Sequence, residues 1–178
     1  GIQVSADMET ARAGLMVFLK EEGKVSDTLA RLREEAKRTP FELPGLTQAT
    51  QLLTAVTKDG DKSIDILLDV GESLSAVGKG QAELDRVVVN LQQIAATGRA
   101  TSIDIKQFAF AGLPIYDMIT AKTGLAGEAL AEFIEGGGVT FDLLTSMFDQ
   151  ATTEGGMFFG AFEKQAGTFN QLMANMKD

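Results

Sequence analysis

The chain has 178 residues, enough for one domain with a real core, and its 44% hydrophobic and 23% charged residues are ordinary for a globular protein, which argues against extended disorder. Cysteine and histidine are both absent, which removes disulfides, Ser–His and Cys–His catalysis, and the usual ligands of zinc, iron–sulfur and most copper sites. The net charge of −9 lies entirely after residue 40, where 9 basic residues meet 18 acidic ones; such a surface repels phosphate backbones and disfavours direct DNA binding.

Helical periodicity dominates, and the three prolines, Pro40, Pro44 and Pro114, each fall at a boundary. The spacing predicts a first helix from about Ser5 to Glu22, with Met8, Ala11, Leu15, Phe18 and Leu19 inward and Gly23 as its stop. A second helix is predicted from Ser26 to Arg38 on the stripe Leu29, Leu32 and Ala36. Thr39 to Gly45 reads as an extended connector, because residues before proline avoid the helical region. Leu46 to Val56 resumes helix, and Thr57 to Lys62 is a polar turn. Ser63 to Val77 follows, with Ile64, Leu67, Leu68 and Leu74 on one side, until Gly78-Lys79-Gly80 breaks it.

Gln81 to Thr97 is closed by Gly98 in a C′ position. Its Val87-Val88-Val89 run keeps helical flanks, so it reads as helix and not strand. Thr101 with Asp104 forms a loose capping box for a helix ending at Gly112. Pro114 opens another helix that stops at Gly124. A short helix, Gly127 to Ile134, runs into three glycines, and Thr140 caps a helix to about Thr153. In the final stretch, Glu154 to Asp178, Phe158, Phe162, Ala166, Phe169, Met173 and Met176 recur at steps of three and four. These residues predict one apolar helical face, read as core, with Gly155 and Gly156 marking its start. Gly160 and Gly167 are expected inside it, at points of close approach to another helix.

These elements predict an all-α, compact multi-helix domain of about ten short helices, residues 1–178, with a hairpin of the first helices free to project. No apolar run approaches the roughly 18 residues of a membrane span. The start has neither the basic nor the apolar region of a signal peptide. The beginning at Gly1 and the end at Asp178 are expected to be cuts in a longer chain.

Four features invite chemistry, and each has a plainer reading. Asp59-Gly-Asp61-Lys-Ser63-Ile-Asp65 alternates oxygen ligands as a calcium loop does. The positions that need Gly and a bidentate Glu hold Ile64 and Val70, so the segment reads as a turn capping the next helix. Gly78-Lys-Gly80 begins like a dinucleotide loop but lacks the third Gly and a preceding strand. Glu72-Ser73 resembles the Glu-Ser dipeptide of peptidoglycan-cleaving transglycosylases, in which one Glu serves as acid and base. The Gly-Leu-Met-Gln motif expected after it is missing, which makes Glu72 part of a solvated helix face. Tyr116, after Pro114, reads as a packing residue. No residue is read as catalytic, cofactor-binding or metal-binding.

Several punctuated segments, taken together, resemble the tape measure domain of tailed-phage tail-length proteins. They are Glu9-Thr-Ala11-Arg-Ala-Gly14, Arg38-Thr-Pro-Phe-Glu42, Gly98, Phe110-Ala-Gly-Leu-Pro-Ile115, Lys122-Thr-Gly124, Gly136-Gly-Gly138-Val-Thr140, Glu154-Gly-Gly156-Met-Phe158, Glu163-Lys-Gln165, Thr168 and Met176-Lys-Asp178. The ordered set carries the resemblance from about Met8 onward, and no single motif does. The Lys58 to Lys62 turn and Asn170 to Met173 depart from the pattern. The resemblance implies a structural, non-enzymatic role in a phage or prophage tail: setting tail length, taking part in assembly and leaving ahead of the DNA. It implies tail proteins, assembly chaperones and other copies of the parent chain as partners, and the virion, after the host cytoplasm, as location. It supplies no catalytic residue and no cofactor. The alternatives are a peptidoglycan-cleaving module of a tail protein and a generic helical adaptor.

Overall fold

The computed structural model describes the backbone of residues 2–177 and the side chains of residues 8–167 and 171–176. Ten α-helices and no strand occur among the described residues. They are α1 (Ile2–Leu19), α2 (Glu22–Ala36), α3 (Leu43–Thr57), α4 (Gly60–Ala76), α5 (Gln81–Thr97), α6 (Ser102–Phe110), α7 (Ile115–Thr123), α8 (Gly127–Glu135), α9 (Phe141–Thr152) and α10 (Ala161–Lys177).

The core is organised around α4, which packs against α2, α3, α5, α9 and α10. Its predicted inward residues Ile64, Leu67, Leu68 and Leu74 are buried, and so are Ile66 and Val70. A helix covered on so many sides has no single apolar stripe, so the expected one-sided pattern undercounts its core. Leu84, Val87, Val88, Leu91 and Ile94 of α5 continue the same cluster, which extends through α6 and α7 to Phe148 of α9. The rings of Phe108 and Phe148 lie 6.3 Å apart within it. α8 reaches the cluster through Leu130 and Ile134. The Gly98 turn and the triple-glycine turn are tied together where the Ala100 amide donates to the Val139 carbonyl at 2.7 Å.

Three buried threonines on α3 need partners, because an unbonded hydroxyl in an apolar core is costly. Thr47, Thr50 and Thr54 each donate to the carbonyl four residues earlier, and Thr54 also meets the Ser63 hydroxyl of α4 at 3.0 Å.

The first two helices form the expected hairpin, but it does not project: both helices are seated on α3, and α2 also reaches α4. Leu15, Leu19, Val25 and Leu29 make a small cluster of their own, with Met8 against it. The reversal comes earlier than predicted. α1 stops at Leu19, Lys20 turns to φ 66°, and Gly23 lies in the first turn of α2. Reversing there sets Val25 and Leu29 opposite Leu19 and Leu15, so hairpin packing overrides the glycine signal. α3 likewise begins at Leu43 and takes Pro44 into its first turn, where a missing amide costs nothing.

The caps follow the sequence closely. The Thr101 hydroxyl accepts from the Asp104 amide while the Asp104 carboxylate accepts from the Thr101 amide. Thr140 caps α9 by accepting from the Leu143 amide, and Gly98 closes α5.

Candidate functional site

The C-terminal helix grows out of a clamp of aromatic rings. Phe162, in its first turn, meets Phe41 edge-on, with centroids 6.4 Å apart and planes at 80°. The Arg38 guanidinium lies 5.9 Å over the Phe162 ring. Both rings press on α4 at Gly71, where a β-carbon would stand 3.0 Å from Phe41 and 3.4 Å from Phe162. The glycine lets the rings approach the helix backbone. Thus the Arg38–Glu42 segment and the start of α10, far apart in sequence, meet at one joint. The Gln165 amide extends it by donating to the Ser75 carbonyl at 3.0 Å.

Beyond this clamp the predicted core stripe divides. Phe158 and Phe162 are buried, as expected. Ala166 is exposed, and Met173 and Met176 are 41% and 73% exposed. The side chain of Phe169 lies outside the described residues. α10 contacts the body through Phe162 and Gln165 in its first turns, and the helical spacing of apolar residues runs on past that surface. The helix also begins later. Glu154 to Gly160 fold as turns against the end of α9, with the Phe158 amide donating to the Ala151 carbonyl at 2.8 Å. Gly160 adopts φ 80° ahead of the helix, and β-carbons at Gly160 and Gly167 would meet open space. Neither glycine marks the close helix approach expected of it. Met157, Phe159 and Leu172, all about half exposed, complete an apolar end of the molecule beside an open groove of about 740 Å³.

The acidic turn resolves into helix-starting and pairing roles. Asp59 caps α4 by accepting from the Lys62 amide at 3.1 Å. Asp61 and Asp65 both accept from the Arg31 guanidinium of α2. Those two bonds raise the arginine's pKa against the opposing effect of burial. Lys58, which ends α3 at φ 57°, lies 4.4 Å over the Phe18 ring of α1. Gly80 precedes α5, and its amide donates to Glu83 at 3.2 Å, consistent with a helix–helix break. Glu72 is half-buried within α4. Tyr116 is exposed, contrary to its reading as a packing residue. Ile115, Met118 and Ile119 take the inner face of α7 and turn position 116 outward.

One polar residue of the core region escaped the sequence reading. Asp69 sits on α4 within Ile66-Leu67-Leu68-Asp69-Val70, and its carboxylate accepts from the Thr152 hydroxyl of α9 at 3.1 Å. Burial pushes its pKa up to about 7; the Thr152 bond opposes the rise, and the charges of Asp149, Asp65 and Glu72 add to it. The sequence carries little signal for this, since Asp65, Asp69 and Glu72 share one face of α4 and read as a solvated stripe; the packing of α9 over that face covers Asp69.

No helix among the described residues is long and apolar enough to cross a membrane. No curated protein and no solved structure matches the chain. A family model described as "Tape measure protein" matches residues 1–178. The match spans both halves of the aromatic clamp, the capped turns and the exposed C-terminal helix, and the chain belongs to the tape measure protein family, a structural family of the phage tail.

Proposed function

We propose that residues 1–178 form one folded assembly module of a longer tape measure protein, and that this module is not itself graduated tape. The carrying observation is the packing of ten helices around α4 and its neighbours. Stretched as one continuous helix, 178 residues would span roughly 270 Å at about 1.5 Å each. Folded around a core, a chain of this length has a radius of gyration of about 16 Å, which leaves no linear relation between residue number and length. The Gly and Pro turns support the same reading, because they interrupt the helix that a ruler would need. The parent chain would then set tail length and help deliver DNA, while this module contributes surfaces for tail proteins and assembly chaperones during assembly in the host cell. The net charge of −9 makes an acidic surface available for such contacts, while Asp59 caps a helix, Asp61 and Asp65 pair with Arg31, and Asp69 contacts the Thr152 hydroxyl.

An in-frame deletion of residues 1–178 in the parent phage tests the reading by electron microscopy of the particles. Absent tails, or tails of irregular length, are expected. Well-formed tails uniformly shortened by roughly 270 Å would show that the segment unrolls and measures length.

A further inference from the structure

We propose that the α4–α9 joint is a latch held by a proton: Asp69 as the neutral acid closes the joint, and loss of its proton loosens α9 from α4. The joint is short of hydrogen-bond donors. The Thr152 hydroxyl lies 3.1 Å from an Asp69 carboxylate oxygen, 2.9 Å from the Phe148 carbonyl and 3.3 Å from the Asp149 carbonyl. It has one proton for three acceptors. With Asp69 ionised, that proton must leave the helix carbonyls to serve the carboxylate, or the half-buried charge stays poorly bonded. With Asp69 protonated, the acid donates to Thr152 and Thr152 donates to Phe148, so both hydroxyl groups are used.

The surrounding charges favour the protonated form. Asp65 and Glu72 flank Asp69 on α4, and Asp149 lies one turn before Thr152 on α9. The cation of α2 near this helix, Arg31, is committed to Asp61 and Asp65, with Glu35 close to it. α3 contains no ionisable side chain. α5 carries Glu83, Asp85 and Arg86 in its first two turns, and the first turn of α10 carries Glu163 and Lys164, both exposed. α10 meets α4 at Gly71, about 200° around the helix from Asp69. The direction of the Asp69 shift, driven first by burial, agrees with this arrangement.

Two measurements on the 178-residue chain test the latch. Carbon-detected NMR of the Asp69 carboxyl should show a midpoint near neutral pH, far above the ordinary aspartate range of about 4. Hydrogen exchange, corrected for intrinsic rates, should show the α9 amides opening about tenfold more often at about pH 7 than at about pH 5.5, then levelling off above pH 8. Amides of α6 should lack this dependence. Asp69→Asn, which keeps the shape and a donor without the charge, should make α9 protection independent of pH. A wild-type Asp69 midpoint near 4, or an unchanged pH dependence of α9 in Asp69→Asn, would overturn the proposal. The carboxyl titration needs no variant, so it decides even if the substitution impairs folding.

Discussion

Asp69 shows how a single side chain couples the packing of α4 to solvent conditions. Its pKa rises from 3.8 in the unfolded chain to about 7 in the folded one. The folded state therefore holds the proton more tightly. The stability cost is absent below about pH 4, grows as pH rises toward 7 and is constant above that. Asp69→Asn should leave stability unchanged near pH 4 and raise it by about 1–2 kcal/mol near pH 8. That figure is well below the nominal value of the shift, because the carboxylate is partly solvated. Urea denaturation at the two pH values checks it, and a variant less stable at pH 8 would contradict the assigned cost. Arg31 gives the opposite case, an exposed network with small stakes. Arg31→Met should cost about 1 kcal/mol, less at high salt, as read from thermal unfolding at two ionic strengths. Added calcium should leave the wild-type melting temperature unchanged, since Asp61 and Asp65 already have a cation and Asp59 caps the helix. A rise of several degrees would mean that calcium displaces Arg31 at this turn.

At the scale of the element, the sequence was most legible where one residue decides a local geometry. The Thr101–Asp104 box, the Thr140 cap and the Gly98 stop each satisfy helix-end groups with nearby atoms, and each stands where it was read. Legibility failed where tertiary contact decides. Gly23 reads as a stop because glycine disfavours helix, yet burial of Val25 sets the reversal at Lys20 and Glu21. The stripe held at Phe158 and Phe162 and departed at Ala166, Met173 and Met176 for a related reason: period gives a face but not the length of surface opposite it. The difference is measurable. Phe162→Ala should cost about 3–5 kcal/mol, because it empties the site against Phe41 and Gly71. Met173→Ala and Met176→Ala should each stay within about 0.5 kcal/mol, since they remove exposed atoms. A loss at Met173 matching that at Phe162 would mean that the distal helix is packed after all. The clamp itself was hidden from the sequence, because nothing local to Arg38–Glu42 announces a partner ring more than 120 residues away.

For the whole molecule, two facts point to uneven stability. The accessible surface is 9784 Å², whereas a compact monomer of 18.9 kDa is expected to expose about 8,300 Å². The exposed residues of α10 beyond Phe162 contribute to that excess. The core is also divided: the large cluster runs from Leu32 to Phe162, while Leu15, Leu19, Val25 and Leu29 form a separate small one. Four buried residues between two helices hold less apolar area than the many that enclose α4, and local opening free energy follows that area. Native-state hydrogen exchange should therefore rank the molecule in three tiers. Amides of α10 beyond Gln165 should exchange first, because the described side chains there, Ala166 and residues 171–176, are exposed and a short helix with little burial is marginal in water. Amides of α1 and the start of α2 should follow by sub-global opening, and those of α4 and α5 should exchange only with global unfolding. Leu15→Ala should speed exchange in α1 and α2 about tenfold or more while leaving α4 nearly unchanged, since it weakens the small cluster and not the large one. If α4 instead loses protection in step with α1, the two clusters form one cooperative unit and the hairpin seated on α3 is integral to the core.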